Sequence, residues 1–229
     1  MDNEKLRNNQ LDSRLLIRIT PVSLPLYKLC RGLLKLIFIF FGRLKAYGQE
    51  NVPATGPIIL APNHISFADP PCVGAGMKRH VHFMAKEELF PPGFGNLLKT
   101  IGTFPVKRGT ADRRAIKTAT ALLDQGRVVC IFPEGRRSPN GELQKSELGI
   151  GMIALKSKAP VVPALVLGTD KVLPFHSKFF HFHPIKVIYG KPITFPDLYD
   201  SQNTREAVEE IGRRVMHAIG ELQTAARQA

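Results

Sequence analysis

Residues 57–71, PIILAPNHISFADPP, combine the signals of a strand, a turn and the start of a helix. The first five residues are apolar and follow a glycine, which is typical of a short buried strand. The prolines at 70 and 71 disfavour helical geometry in the residue before each of them, whereas a proline suits the first turn of a helix. This stretch predicts a strand over residues 57–61, a polar turn, and a helix from about Pro71.

Strand-like and helix-like segments alternate along the rest of the chain. Apolar or β-branched runs of strand length occupy residues 80–84, 127–132, 161–167 and 185–189. Helical spacing occupies residues 112–125 and 148–158, and a capping box of Asn203 and Glu206 starts a last amphipathic helix. This alternation predicts an α/β fold: a single mixed, largely parallel sheet flanked by helices.

Composition limits the class of protein. The 229 residues include 44% hydrophobic and 22% charged residues, which excludes a disordered or fibrous chain. Cys30, Cys72 and Cys130 are widely spaced, which argues against a disulfide framework or a structural zinc site and favours a reducing compartment. The net charge of +13 implies an anionic partner: nucleic acid, an acidic membrane face or a phosphorylated substrate.

The N-terminal part of the chain is basic and apolar. Residues 13–49 contain no acidic residue, and the run Leu33–Phe41 is interrupted only by Lys35. That run is about half of the roughly 18–20 apolar residues that a spanning helix needs. We therefore predict a flexible tail over residues 1–20, a membrane-interface segment over 21–47 and the main domain over 48–229. The alternative is a buried core helix with solvated lysines on one side.

His64 and Asp69 follow the first predicted strand and are five residues apart. On one helix they would lie roughly 140° apart, and on one strand they would face opposite sides, so they can meet only if the chain turns. Such a pair would let Asp69 fix the tautomer of His64, and His64 would take a proton from a substrate hydroxyl. The alternative is a histidine that merely caps a turn.

The segment Phe132–Ser138, FPEGRRS, also follows a predicted strand. Gly135 permits close backbone approach, and the guanidinium groups of Arg136 and Arg137 suit phosphate oxygens. Glu134 would repel phosphate, so we expect it to orient an arginine or to accept a hydrogen bond from a substrate hydroxyl. The alternative is a solvated turn.

A third segment, GTFPVKR at residues 102–108, places Lys107 and Arg108 after an apolar stretch. These cations could contribute to the same anion site, or they could belong to an ordinary charged loop end. The pair His181 and His183 would share one face of a strand, but no carboxylate or thiolate pattern nearby completes a metal site. We therefore expect no metal.

Four segments together resemble the motif blocks of the glycerolipid acyltransferases, in order and in approximate spacing. They are NHxSxxD at 63–69, GxxxxxR at 102–108, FPEGxRS at 132–138 and VVP at 161–163. The family that the sequence resembles comprises the PlsC-type 1-acyl-glycerol-3-phosphate (lysophosphatidic acid) acyltransferases and their glycerol-phosphate acyltransferase relatives. The resemblance covers roughly residues 45–190.

The resemblance implies a role for each matching residue. His64 is the general base that deprotonates the acceptor hydroxyl, and Asp69 orients it. Four residues match positions that bind the glycerol-phosphate part of the acceptor: Arg108, Glu134, Gly135 and Arg137. No covalent acyl-enzyme is implied, so Ser66 and Ser138 should not be nucleophiles.

The resemblance also implies the reaction and the partners. A fatty acyl group would pass from acyl-CoA or acyl-carrier protein, as co-substrate, to the free hydroxyl of 1-acyl-glycerol-3-phosphate, giving phosphatidic acid without a cofactor. Another lysolipid or glycerol-3-phosphate is the alternative acceptor. The lysophospholipid and an anionic membrane surface would be partners, nucleic acid would not, and the enzyme would sit on the cytoplasmic face of the cell membrane as a peripheral or monotopic protein.

Two positions depart from the family pattern. Arg136 stands where threonine is most common, and Lys107 where an acidic or amide residue is common; both leave the identity of the acceptor head group open.

Two other classes of function stay as alternatives. A hydrolase would use Ser66 or Ser138, although neither lies in a G-x-S-x-G elbow. A nucleic-acid-binding module would interleave aromatic and basic residues, whereas the aromatics here cluster at 38–41 and 175–182.

Overall fold

The structure, a computed structural model, describes residues 22–107, 112–174, 177 and 179–228. These residues form one seven-stranded sheet in the order β1-β7-β6-β2-β5-β3-β4. The pairing of β6 with β7 is antiparallel and the other pairings are parallel, so the predicted mixed, largely parallel sheet is confirmed.

The strands are short and the helices lie between them along the chain. The strands are β1 (Lys45–Tyr47), β2 (Ile58–Pro62), β3 (Val81–Lys86), β4 (Phe104–Val106), β5 (Val128–Cys130), β6 (Val161–Leu167) and β7 (Lys186–Tyr189). The helices are α1 (Leu24–Gly42), α2 (Asp69–Gly76), α3 (Phe94–Thr100), α4 (Arg113–Asp124), α5 (Leu148–Ser157), α6 (Thr169–Val172) and α7 (Thr204–Gln228).

Each strand and helix predicted from apolar spacing is present within a few residues of its predicted bounds. The side chain of Asn203 accepts a hydrogen bond from the Glu206 N–H at 3.2 Å, as the capping box predicts. Four short elements, β1, β4, α3 and α6, have no clear sequence signal because each is too short for a periodic pattern. The predicted tail over residues 1–20 lies outside the described residues.

The alternation of side chains along β2 divides the core into two layers. Ile59 and Ala61 face one side of the sheet, where α4, α5 and α7 cover them. Ile58 and Leu60 face the other side, where α1 and α2 lie. Because successive side chains of a strand point to opposite faces, both faces of this strand need apolar residues.

The order of the strands brings distant segments of sequence to one edge of the sheet. β2 lies between β5 and β6 and is parallel to both. The carboxyl ends of these three strands therefore meet, and the chain leaves them at Asn63, Ile131 and Gly168. In open α/β sheets this edge is where ligands usually bind.

Helix α1 has one buried face and one exposed apolar face. Tyr27 and Phe38 are buried against α2 and the sheet, whereas Leu33 and Phe40 are exposed. The buried side agrees with the alternative of a core helix, whereas the exposed apolar side chains do not. Residues 45–47, the end of the predicted segment 21–47, form β1 and pair with β7 at the sheet edge. Among the described residues, no helix combines the length and apolar content needed to cross a bilayer.

The burial of His82 on β3 predicts that the folded protein loses stability at acidic pH. Burial lowers its pKa to about 4, and the neighbouring His80 adds to that effect. The unfolded chain binds a proton near pH 6.5 and the folded protein does not, so stability is complete above that pH and falls as the pH drops toward about 4. The lost free energy of unfolding is on the order of 3 kcal/mol.

Urea unfolding at a series of pH values would measure this loss in the wild type and in His82→Gln. Glutamine is close to histidine in size and polarity but does not titrate, and the contact of His82 Nδ1 with the Gly102 carbonyl, 3.1 Å in the wild type, is lost or weakened at every pH. We expect the variant to lose clearly less stability over the same pH range. Equal losses in both proteins would show that other groups cause the acid sensitivity.

Candidate active site

His64 and Asp69 form a buried hydrogen-bonded pair, with 2.8 Å between His64 Nδ1 and Asp69 Oδ2. His64 follows β2 and Asp69 is the first residue of α2, so the turn between them closes the gap that the sequence separation creates. An ionised carboxylate only accepts hydrogen bonds, so Nδ1 carries the ring proton and Nε2 keeps its lone pair. The geometry leaves Nε2 able to take a proton.

The Asp69 carboxylate is 0% exposed, and donors surround it. In addition to His64, its Oδ2 accepts from the backbone N–H groups of Ile65 and Ser66, each at 2.7 Å. Its Oδ1 accepts from the Thr169 hydroxyl at 2.5 Å. Buried charge is costly unless it is hydrogen-bonded, and these four donors provide that compensation.

The loop 132–138 holds the main chain of His64 on both sides. Glu134 Oε1 accepts from the His64 N–H at 2.8 Å, and Glu134 Oε2 accepts from the Gln144 N–H at 3.1 Å. The Ser138 N–H donates to the His64 carbonyl oxygen at 2.7 Å. Two of the motif blocks therefore form one rigid unit, in which the second block fixes the position of the histidine.

Burial raises the pKa of the Glu134 carboxyl, its two N–H partners oppose that rise, and the charge of Asp69 adds to it. Each carboxylate oxygen has more acceptor capacity than one hydrogen bond uses. The hypothesis that Glu134 orients an arginine or contacts a substrate hydroxyl therefore stays a prediction beside its observed contact with His64.

Arg137 lies beside the histidine motif. Its guanidinium carbon is 3.5 Å from the centroid of the Phe67 ring, a cation–π contact. Gly135 has a φ of +66°, and a Cβ there would lie 2.7 Å from Glu147 Cγ, so glycine is needed in this tight turn. The predicted residues Glu134, Gly135 and Arg137 thus occupy one loop next to His64.

Arg108 lies outside the described residues. Its neighbour Lys107 is exposed at the end of β4, where its N–H donates to Asp112 Oδ2 at 2.9 Å. Pro163 of the VVP block is buried within β6, and its carbonyl accepts from the Gly190 N–H, so this block contributes to the sheet.

A cavity of about 510 Å³ lies between α4, α5 and the strand ends. Its lining is mainly apolar and includes Ile116, Ile150 and Met152 together with the cations Lys107 and Arg136. Phe132 lines this cavity and also stacks on the His64 ring, with 4.1 Å between centroids. Its volume is in the range of small-molecule sites, and the cavity adjoins the His64–Asp69 pair through Phe132.

The two serines of the motifs are engaged in structural contacts. Ser66 Oγ donates to the Leu173 carbonyl at 2.9 Å, and Ser138 Oγ donates to Asn140 Oδ1 at 2.9 Å. Burial raises the pKa of Cys72 and Cys130, which are free thiols in the core. Within the described ranges, no group of His, Cys, Asp and Glu side chains could hold a metal ion.

Two contributors to the site were not predicted. Phe132 was quoted only as part of a motif, and Thr169 lies just beyond the VVP-containing strand. One signal could have indicated Thr169: it is the second residue after β6, the strand that lies parallel to β2, which precedes His64. Its hydroxyl reaches Asp69 only through the sheet order, which the sequence did not specify.

The chain is similar to a known family, to named proteins and to a solved structure. The family described as Acyltransferase matches residues 43–167. The chain is 33% identical over 195 residues to the 1-acyl-sn-glycerol-3-phosphate acyltransferase of Bacillus subtilis, covering 83% of this chain and 95% of that protein. It is 33% identical over 160 residues to the chloroplastic 1-acyl-sn-glycerol-3-phosphate acyltransferase BAT2 of Brassica napus, covering 67% and 46%. The crystal structure of the 1-acyl-sn-glycerophosphate (LPA) acyltransferase PlsC from Thermotoga maritima superposes with a TM-score of 0.68 at 28% identity, covering 86% and 79%.

The contact between Thr169 and Asp69 predicts a positioning role for the hydroxyl. Thr169→Val removes the donor with little change in shape, so we expect the turnover number in an acyl-transfer assay to fall roughly 10- to 100-fold as the pair loses its alignment. The acceptor KM should change little. Thr169→Ser keeps the oxygen and should stay near wild type. A valine variant with wild-type turnover would show that Thr169 only fills space.

Proposed function

This chain belongs to the Acyltransferase family, and from that premise we propose that it transfers a fatty acyl group to the free hydroxyl of 1-acyl-sn-glycerol-3-phosphate. The donor would be acyl-CoA or acyl-carrier protein, and the product phosphatidic acid. The observation that carries the proposal is the buried His64–Asp69 pair with the Arg137 cation beside it. The names of the relatives support the choice of acceptor.

In the proposed mechanism His64 is the general base. Nε2 takes the proton of the acceptor hydroxyl as its oxygen attacks the thioester carbonyl carbon. The carbon–sulfur bond then breaks, and the imidazolium returns its proton to the departing thiolate. Asp69 keeps Nδ1 protonated and stabilises the positive ring while it exists. The acyl group passes directly between substrates, which agrees with the structural contacts of Ser66 and Ser138.

The acceptor phosphate would bind to the cations next to this pair. Arg137 is supported by its place beside Phe67, within the histidine motif. Arg136 and Lys107 line the adjoining cavity, and Arg108 follows from the family resemblance. A guanidinium group suits phosphate because its N–H groups can form two parallel hydrogen bonds. Holding the phosphate there would also place the hydroxyl near Nε2.

The apolar cavity beside Phe132 supports a lipid substrate. Its apolar walls between α4 and α5 would shelter an acyl chain, while the thioester or hydroxyl lies at the His64 end. Removal of a chain from water is favourable by about 0.8 kcal/mol per buried methylene group. An acyl chain held there would contribute to binding without taking part in the chemistry.

We also propose that α1 contacts the cytoplasmic face of the membrane as a peripheral or monotopic element. Its exposed stripe of Leu29, Leu33, Leu36 and Phe40 recurs at intervals of three and four residues, so it lies on one side of the helix. Lys28 and Lys35 flank this stripe and are exposed. Apolar residues bordered by lysines suit the interface of an anionic bilayer.

The catalytic assignment predicts different kinetic losses at two positions. His64→Ala should lower turnover roughly 100- to 10,000-fold with little change in acceptor KM, because it removes the base. Arg137→Ala should chiefly raise the acceptor KM, because it removes phosphate binding. Thioester consumption by purified protein would be measured with lysophosphatidic acid, glycerol-3-phosphate and other lysolipids as acceptors. Near-wild-type turnover by His64→Ala would contradict the mechanism, and a preferred acceptor other than lysophosphatidic acid would replace the proposed substrate.

The membrane assignment predicts a charge effect that depends on position. Lys28→Gln/Lys35→Gln should weaken binding to vesicles of anionic lipid roughly 30-fold, since each basic residue near the surface contributes about 1 kcal/mol. The matched control is Lys117→Gln/Lys156→Gln, which removes the same charge from α4 and α5 on the other face of the sheet. Vesicle flotation would compare them at low salt. Equal losses in both variants would indicate a general charge effect and contradict contact through α1.

A further inference from the structure

The loop between α6 and β7 exposes aromatic side chains that no step of the proposed reaction uses. Phe179 is 78% exposed, Phe182 is 70% exposed, and Phe180 between them is about half as exposed. Large apolar side chains that lie together on a surface usually mark an interaction site. We term Phe179, Phe180 and Phe182 the aromatic loop.

The aromatic loop is fixed against the C-terminal end of α1. The centroid of the Phe182 ring lies 5.6 Å from the Phe40 centroid and 5.0 Å from the Phe41 centroid. The Phe180 centroid lies 6.1 Å from that of Phe38. The backbone adds a second connection, since the His183 N–H donates to the Phe41 carbonyl. The loop therefore continues the exposed apolar stripe of α1 into one surface.

The charge around this surface indicates what covers it. Residues 13–49 contain no Asp or Glu, and neither do residues 171–196, which include the aromatic loop. The pairing of β1 with β7 places these two acid-free segments side by side. A second copy of the chain would bring an equally basic surface to the contact, because a two-fold interface repeats the same patch on both subunits. An anionic, apolar partner is complementary.

We propose that the aromatic loop is a second membrane-contacting segment, which inserts Phe179 and Phe182 into an anionic bilayer beside α1. The inference rests on the proposed lipid acyltransferase function, and it adds a segment distant in sequence from the N-terminal helix. Aromatic side chains are well suited to the boundary between head groups and acyl chains.

Hydrogen bonds connect the aromatic loop, through α6, to the turn that holds the proposed catalytic pair. The His181 N–H donates to the Val172 carbonyl at the end of α6. Thr169, at the start of α6, binds Asp69, and the Leu173 carbonyl accepts from Ser66. The segment that contacts lipid is thus attached to the turn that carries the catalytic aspartate. A lipid acceptor with its head group at the interface would meet the site there.

The test compares Phe179→Ser/Phe182→Ser with Phe179→Leu/Phe182→Leu in the full-length chain. Phe180 stays unchanged because it packs against Phe38 and Phe41. Flotation with phosphatidylglycerol-containing vesicles at high salt reports the apolar part of binding. We expect the serine variant to bind about tenfold or more weakly and the leucine variant to stay within about threefold of wild type. The melting temperature should fall only slightly, because both side chains are mostly exposed and the serine variant loses only the ring contacts of Phe182 with Phe40 and Phe41.

Binding by the serine variant equal to wild type would overturn the proposal. A second outcome would also overturn it: the wild type forms a dimer in solution, and the serine substitutions dissociate that dimer but leave vesicle binding unchanged. In that case a second copy of the chain would cover the loop. Activity separates this inference from the proposed function. The serine variant should lose activity on bilayer-embedded acceptor and keep it on a short-chain, soluble acceptor. Phe-dependent vesicle binding by a wild type that transfers no acyl group would refute the proposed function and leave the membrane contact standing.

Discussion

A buried carboxylate requires a donor for each of its oxygens, and the active site of this protein is arranged around that requirement at Asp69. Its side chain is fully buried and accepts from the His64 ring, from two backbone N–H groups and from the Thr169 hydroxyl. An unpaired charge at this depth would cost several kcal/mol. A substitution that displaces one of these donors therefore destabilises the turn between β2 and α2. Because His64 lies in that turn, its ring is displaced as well.

The sheet order brings two groups from distant segments to this turn: the Thr169 hydroxyl, which donates to Asp69, and the Glu134 carboxylate, which accepts from the His64 N–H. Thr169 comes from the end of β6 and Glu134 from the end of β5, on either side of the strand that precedes His64. Glu134 holds the His64 N–H while Thr169 holds Asp69. A parallel arrangement is needed for this, because only parallel strands deliver their carboxyl ends to the same edge of the sheet. Fold and site thus depend on the same pairing.

The sequence predicted the parts of this arrangement that are local or strongly patterned. The apolar run of β2 and the prolines after Asp69 predicted a strand, a turn and a helix start. They left open a histidine that only caps a turn, and the family resemblance implied the pairing of His64 with Asp69. The role of Thr169 could not be predicted, because a single threonine after a strand has no pattern and its partner is set by strand order. The hydrogen bonds that backbone N–H groups donate to Glu134 were missed for a related reason. A carboxylate just before two arginines suggests interaction with their charge, whereas this buried carboxylate binds the main chain.

Helix α1 shows how one helix can satisfy two environments. Tyr27 and Phe38 are packed into the core, and Arg31 donates to the carbonyl oxygens of Met77 and Lys78, so part of its positive charge serves the fold. The acid-free composition predicted a membrane-interface segment without separating its basic residues, whereas the structure places the Arg31 guanidinium on the backbone after α2. Lys28 and Lys35 are exposed, and within the described residues neither donates such a hydrogen bond to a main-chain carbonyl. An apolar face that is costly in water and a lysine border that stays solvated are both explained if the helix lies at the surface of a bilayer, with its packed face directed at the catalytic domain.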